Sequence, residues 1–192
     1  MNADFIRKIY NQPHLTAEAY EEISRSHTPV EFSKGTLLIK EAKTSNAFYL
    51  IEKGLCRSYL IDCNGKDVTT GFYSSEQILI DSFSLFQRKP SRENFEGVSP
   101  GIAWKIDYEA FDSMLKKHEG LREWGRLWAT QELYNMKRRS LDLLTVSATD
   151  RYLALIEQQP DILLYAPLKY IASYLGVTDS SLSRIRKDIA GL

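Results

Sequence analysis

Residues 167–187 contain two short helical patterns separated by a tight turn, and they constrain the fold more than any other segment. Gly176 suits the left-handed backbone at the end of the first helix. Thr178 or Asp179 can then cap the start of the second helix. The apolar positions of both helices recur at helical spacing and are Ile171, Ala172, Leu175, Leu182 and Ile185. This pattern is typical of a helix-turn-helix, in which a small residue such as Ala172 permits a close helix crossing.

The outward side of the second helix is small, hydroxylated and basic, which favours entry into the DNA major groove. A guanidinium at Arg184 can contact guanine O6 and N7 together, whereas Lys187 suits contacts to phosphates. The candidate DNA-binding residues are Lys169, Thr178, Asp179, Ser180, Ser181, Ser183, Arg184, Arg186 and Lys187. The alternative interpretation is an ordinary surface helical hairpin with a charged solvent face.

Residues 30–107 are rich in β-branched and aromatic residues and are interrupted by glycine. Asn64-Gly65 indicates a hairpin with a type I′ turn, because that turn needs φ > 0 at both central residues. We expect short strands within 32–39, 48–54, 55–63, 66–72, 77–80, 93–99 and 102–106. Many short strands at this spacing predict an antiparallel β-barrel or jelly roll. Helices are expected over about the first 25 residues and over 108–117.

A longer helix of roughly 25 residues is expected after Gly120. Its apolar and aromatic residues follow the helical period, and two tryptophans lie on one stripe. We interpret this stripe as the seam of a homodimer, whose two-fold symmetry would match a palindromic DNA operator. The candidate interface residues are Leu121, Trp124, Leu127, Trp128, Gln131 and Tyr134. In the alternative interpretation, the stripe packs on the barrel of its own chain.

Composition excludes several classes of protein. The formal net charge is zero, so DNA binding requires a local basic patch. The chain has no run of 18 apolar residues and no apolar segment behind the N-terminal charges, so we expect no membrane span, no secretory signal and a cytoplasmic location. Cys56 and Cys63 fit small apolar residues better than a redox switch. Without metal-ligand spacing among the histidines, a phosphate loop or a nucleophile elbow, we expect neither an enzyme nor a metal site.

Three stretches carry a family resemblance: Phe32-x-x-Gly35, Phe48-Tyr-Leu-Ile-x-x-Gly54, and Ile171-Ala-Ser-Tyr-Leu-Gly-Val-Thr178 followed by Leu182-Ser-Arg-Ile185. With a barrel, a long helix and a helix-turn-helix in this order, the chain resembles the Crp/Fnr superfamily of bacterial transcription regulators. Ser147-Ala-x-x-Arg-Tyr152 with Pro160 resembles the branch common among Bacteroidetes-type bacteria. The resemblance implies a homodimeric transcription factor that binds double-stranded DNA, with RNA polymerase as a candidate further partner, and it places Arg184 at the base-reading position.

The resemblance also implies where a cyclic nucleotide would bind. Family members that bind one use Gly-Glu, a short helix, and then Arg followed by a small residue. Here the first part reads Ile80-Asp81-Ser82-Phe83, without Gly. Ser91 stands at the Arg position, and Arg92 follows it on the opposite face of a strand. We therefore expect that this degenerate cassette does not bind cAMP or cGMP.

Two roles then remain open for the barrel: a structural and dimerisation platform, or a pocket for a different small effector. The candidate ligand-binding residues are Phe72, Tyr73, Ile80, Asp81, Ser82, Phe83, Ser91, Arg92 and Phe95. No cofactor is expected.

The predicted fold class is α+β, with an N-terminal antiparallel β-barrel or jelly roll, a long dimerisation helix and a C-terminal helix-turn-helix domain. The predicted limits are residues 1–119 for the effector domain, 120–146 for the dimerisation helix and 147–192 for the DNA-binding domain. We expect no β-hairpin wing after the second helix, because only five residues follow Lys187. The rival to a DNA-binding regulator is a protein-interaction or dimerisation module that kept the fold but lost DNA recognition.

Overall fold

The structure, a computed structural model, describes residues 3–190. Its helices are α1 (Ala3–Ile9), α2 (Ala17–Ser26), α3 (Ser82–Gln87), α4 (Tyr108–Lys117), α5 (Glu119–Thr145), α6 (Ala148–Gln158), α7 (Asp161–Tyr165), α8 (Leu168–Tyr174) and α9 (Asp179–Ala190). Its strands are β1 (Thr28–Phe32), β2 (Leu37–Ile39), β3 (Ala47–Lys53), β4 (Cys56–Ile61), β5 (Asp67–Tyr73), β6 (Ile78–Leu79), β7 (Asn94–Gly97) and β8 (Gly101–Asp107). None of these helices is long and apolar enough to cross a membrane.

The eight strands form two four-stranded antiparallel sheets, in the orders β1-β8-β3-β6 and β2-β7-β4-β5. Side chains from both sheets share one buried cluster that includes Ile51 and Ala103 from one sheet and Ile39 and Phe95 from the other. The sheets therefore pack face to face, as antiparallel sheets do when each buries one face. This arrangement confirms the predicted α+β fold with a jelly roll.

The hairpin between β4 and β5 is present, but its predicted turn type is wrong. Gly65 has φ +77°, whereas Asn64 is not among the residues with positive φ. The backbone N–H of Asp62 donates to the Lys66 carbonyl, and the Asp62 side chain accepts from the N–H groups of Asn64 and Lys66. Because Asp62 supplies these acceptors, the chain closes with a three-residue loop that has one left-handed residue, instead of a two-residue turn with two.

The Phe32 ring is surrounded by three glycines at the end of the barrel. A Cβ at Gly54, Gly97 or Gly101 would lie 3.2, 2.8 or 2.3 Å from an atom of that ring, respectively. The same Cβ atoms would also lie within 2.6 Å of a backbone oxygen in each case. Glycine is therefore required at all three positions for the strands to approach this closely.

The N-terminal half of α5 packs against the chain's own helices. Leu121 and Trp124 are buried in a cluster with Phe111 of α4 and Tyr10, which follows α1. The Trp124 indole N–H donates to the Ile9 carbonyl at 2.9 Å. The prediction that Leu121 and Trp124 belong to a dimer seam is therefore wrong, because both side chains are buried within one chain.

The C-terminal helices are not separate from the barrel. Ile171, Ala172 and Leu182 share a buried cluster with Leu55 and Phe72 of the barrel region. The division into three domains stays a prediction, and its outermost limits at residues 1 and 192 lie outside the described residues. Helix α9 continues to Ala190. The prediction that no wing follows it concerns residues 191–192, which lie outside the described residues.

Candidate functional site

The turn between α8 and α9 has the conformation that the sequence predicts. Gly176 adopts φ +69°, and the Val177 N–H donates to the Ala172 carbonyl at 3.0 Å, which closes α8. The Thr178 hydroxyl oxygen accepts from the Ser181 N–H at 3.2 Å and caps α9. Capping at Thr178 is thus confirmed, and it fixes the direction in which α9 leaves the turn.

One face of α9 is turned to solvent and the other is buried. Leu182 is fully buried, and Ile185 packs against the same cluster. We call the solvent-facing residues Ser180, Ser183, Arg184 and Lys187 the reading face; all four are exposed and lie on one side of the helix. The remaining predicted DNA-binding residues, Lys169, Thr178, Asp179 and Arg186, are also exposed, whereas Ser181 is half-buried beneath the Thr178 cap.

The predicted ligand cassette has a carboxylate at the place where a phosphate would have to bind. Asp81 is buried, and its Oδ1 accepts from the Ser84 N–H at 2.9 Å at the start of α3. Its Oδ2 is buried with no hydrogen-bond partner among residues 3–190. Because a carboxylate already lies at the N-terminus of α3, a ring phosphate there would meet repulsion rather than donors.

Residues 91 and 92, which should supply a guanidinium, precede β7 and do not lie in a strand, so strand alternation does not set the direction of Arg92. Ser91 is buried, and its hydroxyl donates to the Glu93 carbonyl at 2.7 Å, while Arg92 is exposed. Burial raises the pKa of the Glu93 carboxyl, and the negative charge of Asp81 raises it further. A hydrogen bond from Thr70 and the positive charges of Arg139 and Arg92 lower the same pKa. The buried Asp81 carboxylate is therefore the group at this end of the barrel that disfavours an anion.

The other predicted pocket residues are dispersed. Tyr73 and Phe95 face each other in the barrel core, with ring centroids 5.8 Å apart. Phe72 points the other way and packs edge-to-face on Tyr174 of α8 at 5.2 Å, and Phe83 is exposed on α3. The prediction that Phe72 and Phe83 line a common pocket is therefore wrong, since neighbouring residues of a strand alternate in direction and helix α3 turns Phe83 outward. Ile80 is half-buried and packs on the helical core, and Ser82 is exposed.

A cleft of about 890 Å³ lies between the barrel, α5 and the C-terminal helices. Tyr73 lines it from β5, Trp128 and Arg139 from α5, Arg151 from α6 and Tyr174 from α8. Its size is within the range of small-molecule sites. The sequence does not predict this cleft, because the residues that line it come from segments far apart in the chain.

The C-terminal half of α5 exposes a different apolar face from the predicted seam. Leu127, Tyr134, Leu141 and Leu144 are exposed and fall within one arc of the helix, and we call them the seam stripe. Of the predicted interface residues, Leu127 and Tyr134 belong to it. Trp128 instead stacks on Trp124 at 6.2 Å and is half-buried, and Gln131 is exposed between the two faces.

Comparison with known proteins identifies the barrel and the overall fold. Residues 29–118 match the family model described as a cyclic nucleotide-binding domain. No curated protein matches the chain significantly.

Several solved regulators share its architecture. FixK2 from Bradyrhizobium japonicum is 18% identical, with a TM-score of 0.72 over 86% of this chain and 85% of that one. The c-di-GMP-responsive global regulator CLP from Xanthomonas campestris is 12% identical, with a TM-score of 0.70 over 92% of each chain. A transcriptional regulator of the Crp/Fnr family from Eubacterium rectale is 15% identical, with a TM-score of 0.68 over 92% of this chain and 84% of that one.

Residues 29–118 are therefore similar to a cyclic nucleotide-binding domain, and the chain has a fold that solved transcription regulators share. That fold is the one of the Crp/Fnr family, which confirms the resemblance seen in the sequence. The narrower placement in a Bacteroidetes-type branch stays a prediction.

Proposed function

We propose that the protein is a transcription regulator, not an enzyme, that binds double-stranded DNA in the cytoplasm by inserting α9 into the major groove. The observation that carries this proposal is the reading face, which combines hydroxyls and two cations on the exposed side of a capped helix. The opposite side of α9 is anchored by Leu182, so the helix is presented as a rigid element. A helix held in this way can reach base edges without rearranging.

Within the reading face, Arg184 and Lys187 have different roles. Arg184 carries a planar guanidinium that suits guanine O6 and N7, and a bidentate contact of this kind contributes about 1–3 kcal/mol of discrimination. Lys187, together with Lys169 and Arg186, suits phosphates, which position the protein but carry no sequence information. This division of roles gives the proposal a test at the level of single residues.

The test begins with selection of bound genomic fragments by the purified protein, with and without small molecules from a cell extract. On the selected sequence, Arg184→Ala should lose affinity and also lose preference at one base pair of each half-site. Lys187→Ala is the matched control; it should weaken all sequences about equally and reduce the salt slope by about one per site. If Arg184→Ala weakens every sequence equally, Arg184 contacts only the backbone and the assigned reading face is wrong.

A homodimer is part of the same proposal. The seam stripe leaves large apolar side chains in solvent, with Leu144 82% exposed. A second copy of α5 packed on this stripe would cover it and would place two copies of α9 about a two-fold axis. RNA polymerase remains a candidate further partner.

We further propose that the regulator does not respond to cAMP or cGMP. The buried Asp81 carboxylate opposes a cyclic phosphate in the cassette, and neither the buried Ser91 nor the exposed Arg92 supplies a buried guanidinium to bind one. If a small effector exists, the cleft between barrel, α5 and C-terminal helices is the better candidate site.

The second candidate function is a protein-interaction module that lost DNA recognition. A cluster of exposed apolar residues on α7 and α8 favours it, namely Leu163, Leu164, Tyr165 and Leu168. Retention on heparin or operator-like DNA separates the two functions, because a regulator elutes in a salt-dependent manner and a pure interaction module is not retained.

A further inference from the structure

The β4–β5 sheet carries a buried arginine that contacts the C-terminal helices. The Arg57 side chain is only 2% exposed. Its guanidinium lies 4.1 Å from the ring centroid of Tyr59 on the same strand and 3.4 Å from that of Tyr170 on α8. The cation is thus in contact with two aromatic rings, one from the barrel and one from the helix that precedes the reading helix.

The barrel holds this guanidinium in a fixed orientation. Arg57 donates two hydrogen bonds to the Asp67 carboxylate at 2.7 Å each, one to Glu96 at 2.8 Å and one to the Thr69 hydroxyl at 2.9 Å. These bonds occupy the edge of the planar group and leave its faces for aromatic stacking. A lysine could not reproduce this arrangement, because its ammonium is a point charge without a flat face.

Further contacts along one side of α8 extend the same interface. The Thr69 N–H donates to the Ser173 hydroxyl at 3.1 Å, and Phe72 packs on Tyr174. Arg139 of α5 donates to the carbonyls of both Thr70 and Tyr174. Residues 170, 173 and 174 lie on one face of a helix, so α8 presents a single docking face to β5.

The docked position leaves the reading face free. Ser180, Ser183, Arg184 and Lys187 remain exposed although α8 is held against the barrel. Docking of α8 on the barrel therefore does not cover the reading face.

We propose that Arg57, Tyr59 and Tyr170 form a clamp that fixes the orientation of α8 and α9 on the barrel and thereby sets the spacing of the DNA half-sites that the dimer accepts. Arg57 and Tyr170 are positioning residues in this proposal, which rests on the proposed DNA-binding function. In a two-fold dimer the separation of the two reading helices has to match the half-site separation. A fixed orientation restricts that separation, whereas a released one lets several spacings bind.

The test compares Tyr170→Leu with Tyr165→Leu in the full-length protein. The first change removes one ring of the clamp but keeps an apolar side chain and leaves the ion pairs of Arg57 intact. The second makes the same replacement at an exposed tyrosine of α7. Arg57→Lys is a further variant that keeps the charge but removes the stacking plane, so the conclusion does not depend on one substitution.

The first readout is hydrogen exchange of the amides of α8 and α9. We expect these amides to exchange about tenfold faster in Tyr170→Leu and in Arg57→Lys, because each change removes contact between a buried cation and an aromatic ring and so makes local opening of α8 and α9 easier. The amides of β3 and β8 should keep their protection, and Tyr165→Leu should behave as wild type. Unchanged exchange of α8 in both clamp variants would overturn the clamp.

The second readout is binding to a set of DNA duplexes in which the selected half-sites are moved apart by successive base pairs. The wild type should prefer one spacing, and Tyr170→Leu should lose about tenfold of that preference while keeping the preferred half-site sequence. A variant with faster exchange but unchanged spacing preference would contradict the positioning role, as would a variant with higher affinity at every spacing. If the wild type binds none of the duplexes, the proposed function fails, while the exchange result still decides whether the clamp exists.

Discussion

His27 connects the end of α2 to Tyr10 and should make the protein sensitive to acid. Its Nδ1 lies 2.7 Å from the Ile23 carbonyl oxygen, and its Nε2 lies 3.2 Å from the Tyr10 hydroxyl. Because a carbonyl only accepts, Nδ1 carries the proton and the Tyr10 hydroxyl donates to Nε2. Both side chains are buried, so the site accommodates a neutral imidazole and a second proton on Nε2 would displace the Tyr10 donor.

The size of the effect follows from the pKa of His27. Burial lowers this pKa from 6.5 to about 4, although the hydrogen bond to Ile23 opposes the shift. Below pH 6.5 the unfolded chain binds a proton at His27 that the folded chain does not bind. The contribution of neutral His27 to the free energy of unfolding is therefore complete above pH 6.5 and is lost as the pH falls toward 4. At about 1.4 kcal/mol per pH unit the loss reaches about 3 kcal/mol, a substantial part of the roughly 5–15 kcal/mol that stabilises a domain.

Urea unfolding followed by tryptophan fluorescence, at steps from about pH 7.5 to about pH 4.5, measures this loss. His27→Gln removes the titrating group and should show a flatter dependence of the unfolding free energy on pH than the wild type. His14→Gln changes an exposed histidine and should retain the wild-type dependence. Parallel curves for wild type and His27→Gln over this range would refute the reasoning.

Two further outcomes are expected. Leu141→Glu puts a charge into the seam stripe and should weaken dimerisation, measured by analytical ultracentrifugation, by about a hundredfold or more. Met136→Glu is the control: Met136 is also exposed but lies about 140° away around α5, so this change should not weaken dimerisation. A fully dimeric Leu141→Glu would exclude this seam. Isothermal titration with cAMP or cGMP should give no saturable heat at micromolar ligand, because the Asp81 carboxylate repels the cyclic phosphate. DNA affinity should not respond to either nucleotide. A micromolar dissociation constant would contradict the assignment of Ser91 and Arg92.

Most of the barrel could be predicted because its signals are local. Strand β8, Gly101–Asp107, was expected at 102–106, and helix α4, Tyr108–Lys117, was expected at the same residues. Each depends on side-chain alternation or helical spacing within a few neighbours, which a sequence displays directly. The type of the β4–β5 turn was missed because the Asp62 side chain, and not the Asn-Gly pair alone, supplies its hydrogen bonds.

The faces of α5 could not be assigned from sequence. The helix has one apolar face that contains Trp124 and another that contains Leu141 and Leu144, and helical spacing is satisfied by both. Only the tertiary structure shows that Ile9, more than a hundred residues before Trp124, accepts its indole hydrogen bond. Spacing identifies an apolar face but not the surface that covers it.

The burial of Arg57 was also invisible in the sequence, for a related reason. Its partners Asp67, Glu96 and Tyr170 lie on three other segments of the chain. An isolated arginine in a strand is usually exposed, so nothing local indicated a clamp. The helix-turn-helix pattern was readable because both of its helices and their caps lie within about twenty consecutive residues.

The three glycines around Phe32 have an evolutionary consequence. A side chain at Gly54, Gly97 or Gly101 would collide with the backbone oxygen of Pro100, Ser33 or Lys53, and replacing the Phe32 ring by a smaller group would leave those collisions in place. No compensating substitution at Phe32 can therefore release these positions. The exposed side chains of the candidate ligand residues, such as Ser82, Phe83 and Arg92, have no such restraint. Substitutions at these exposed positions can consequently change the chemistry of the candidate pocket while the barrel stays recognisable.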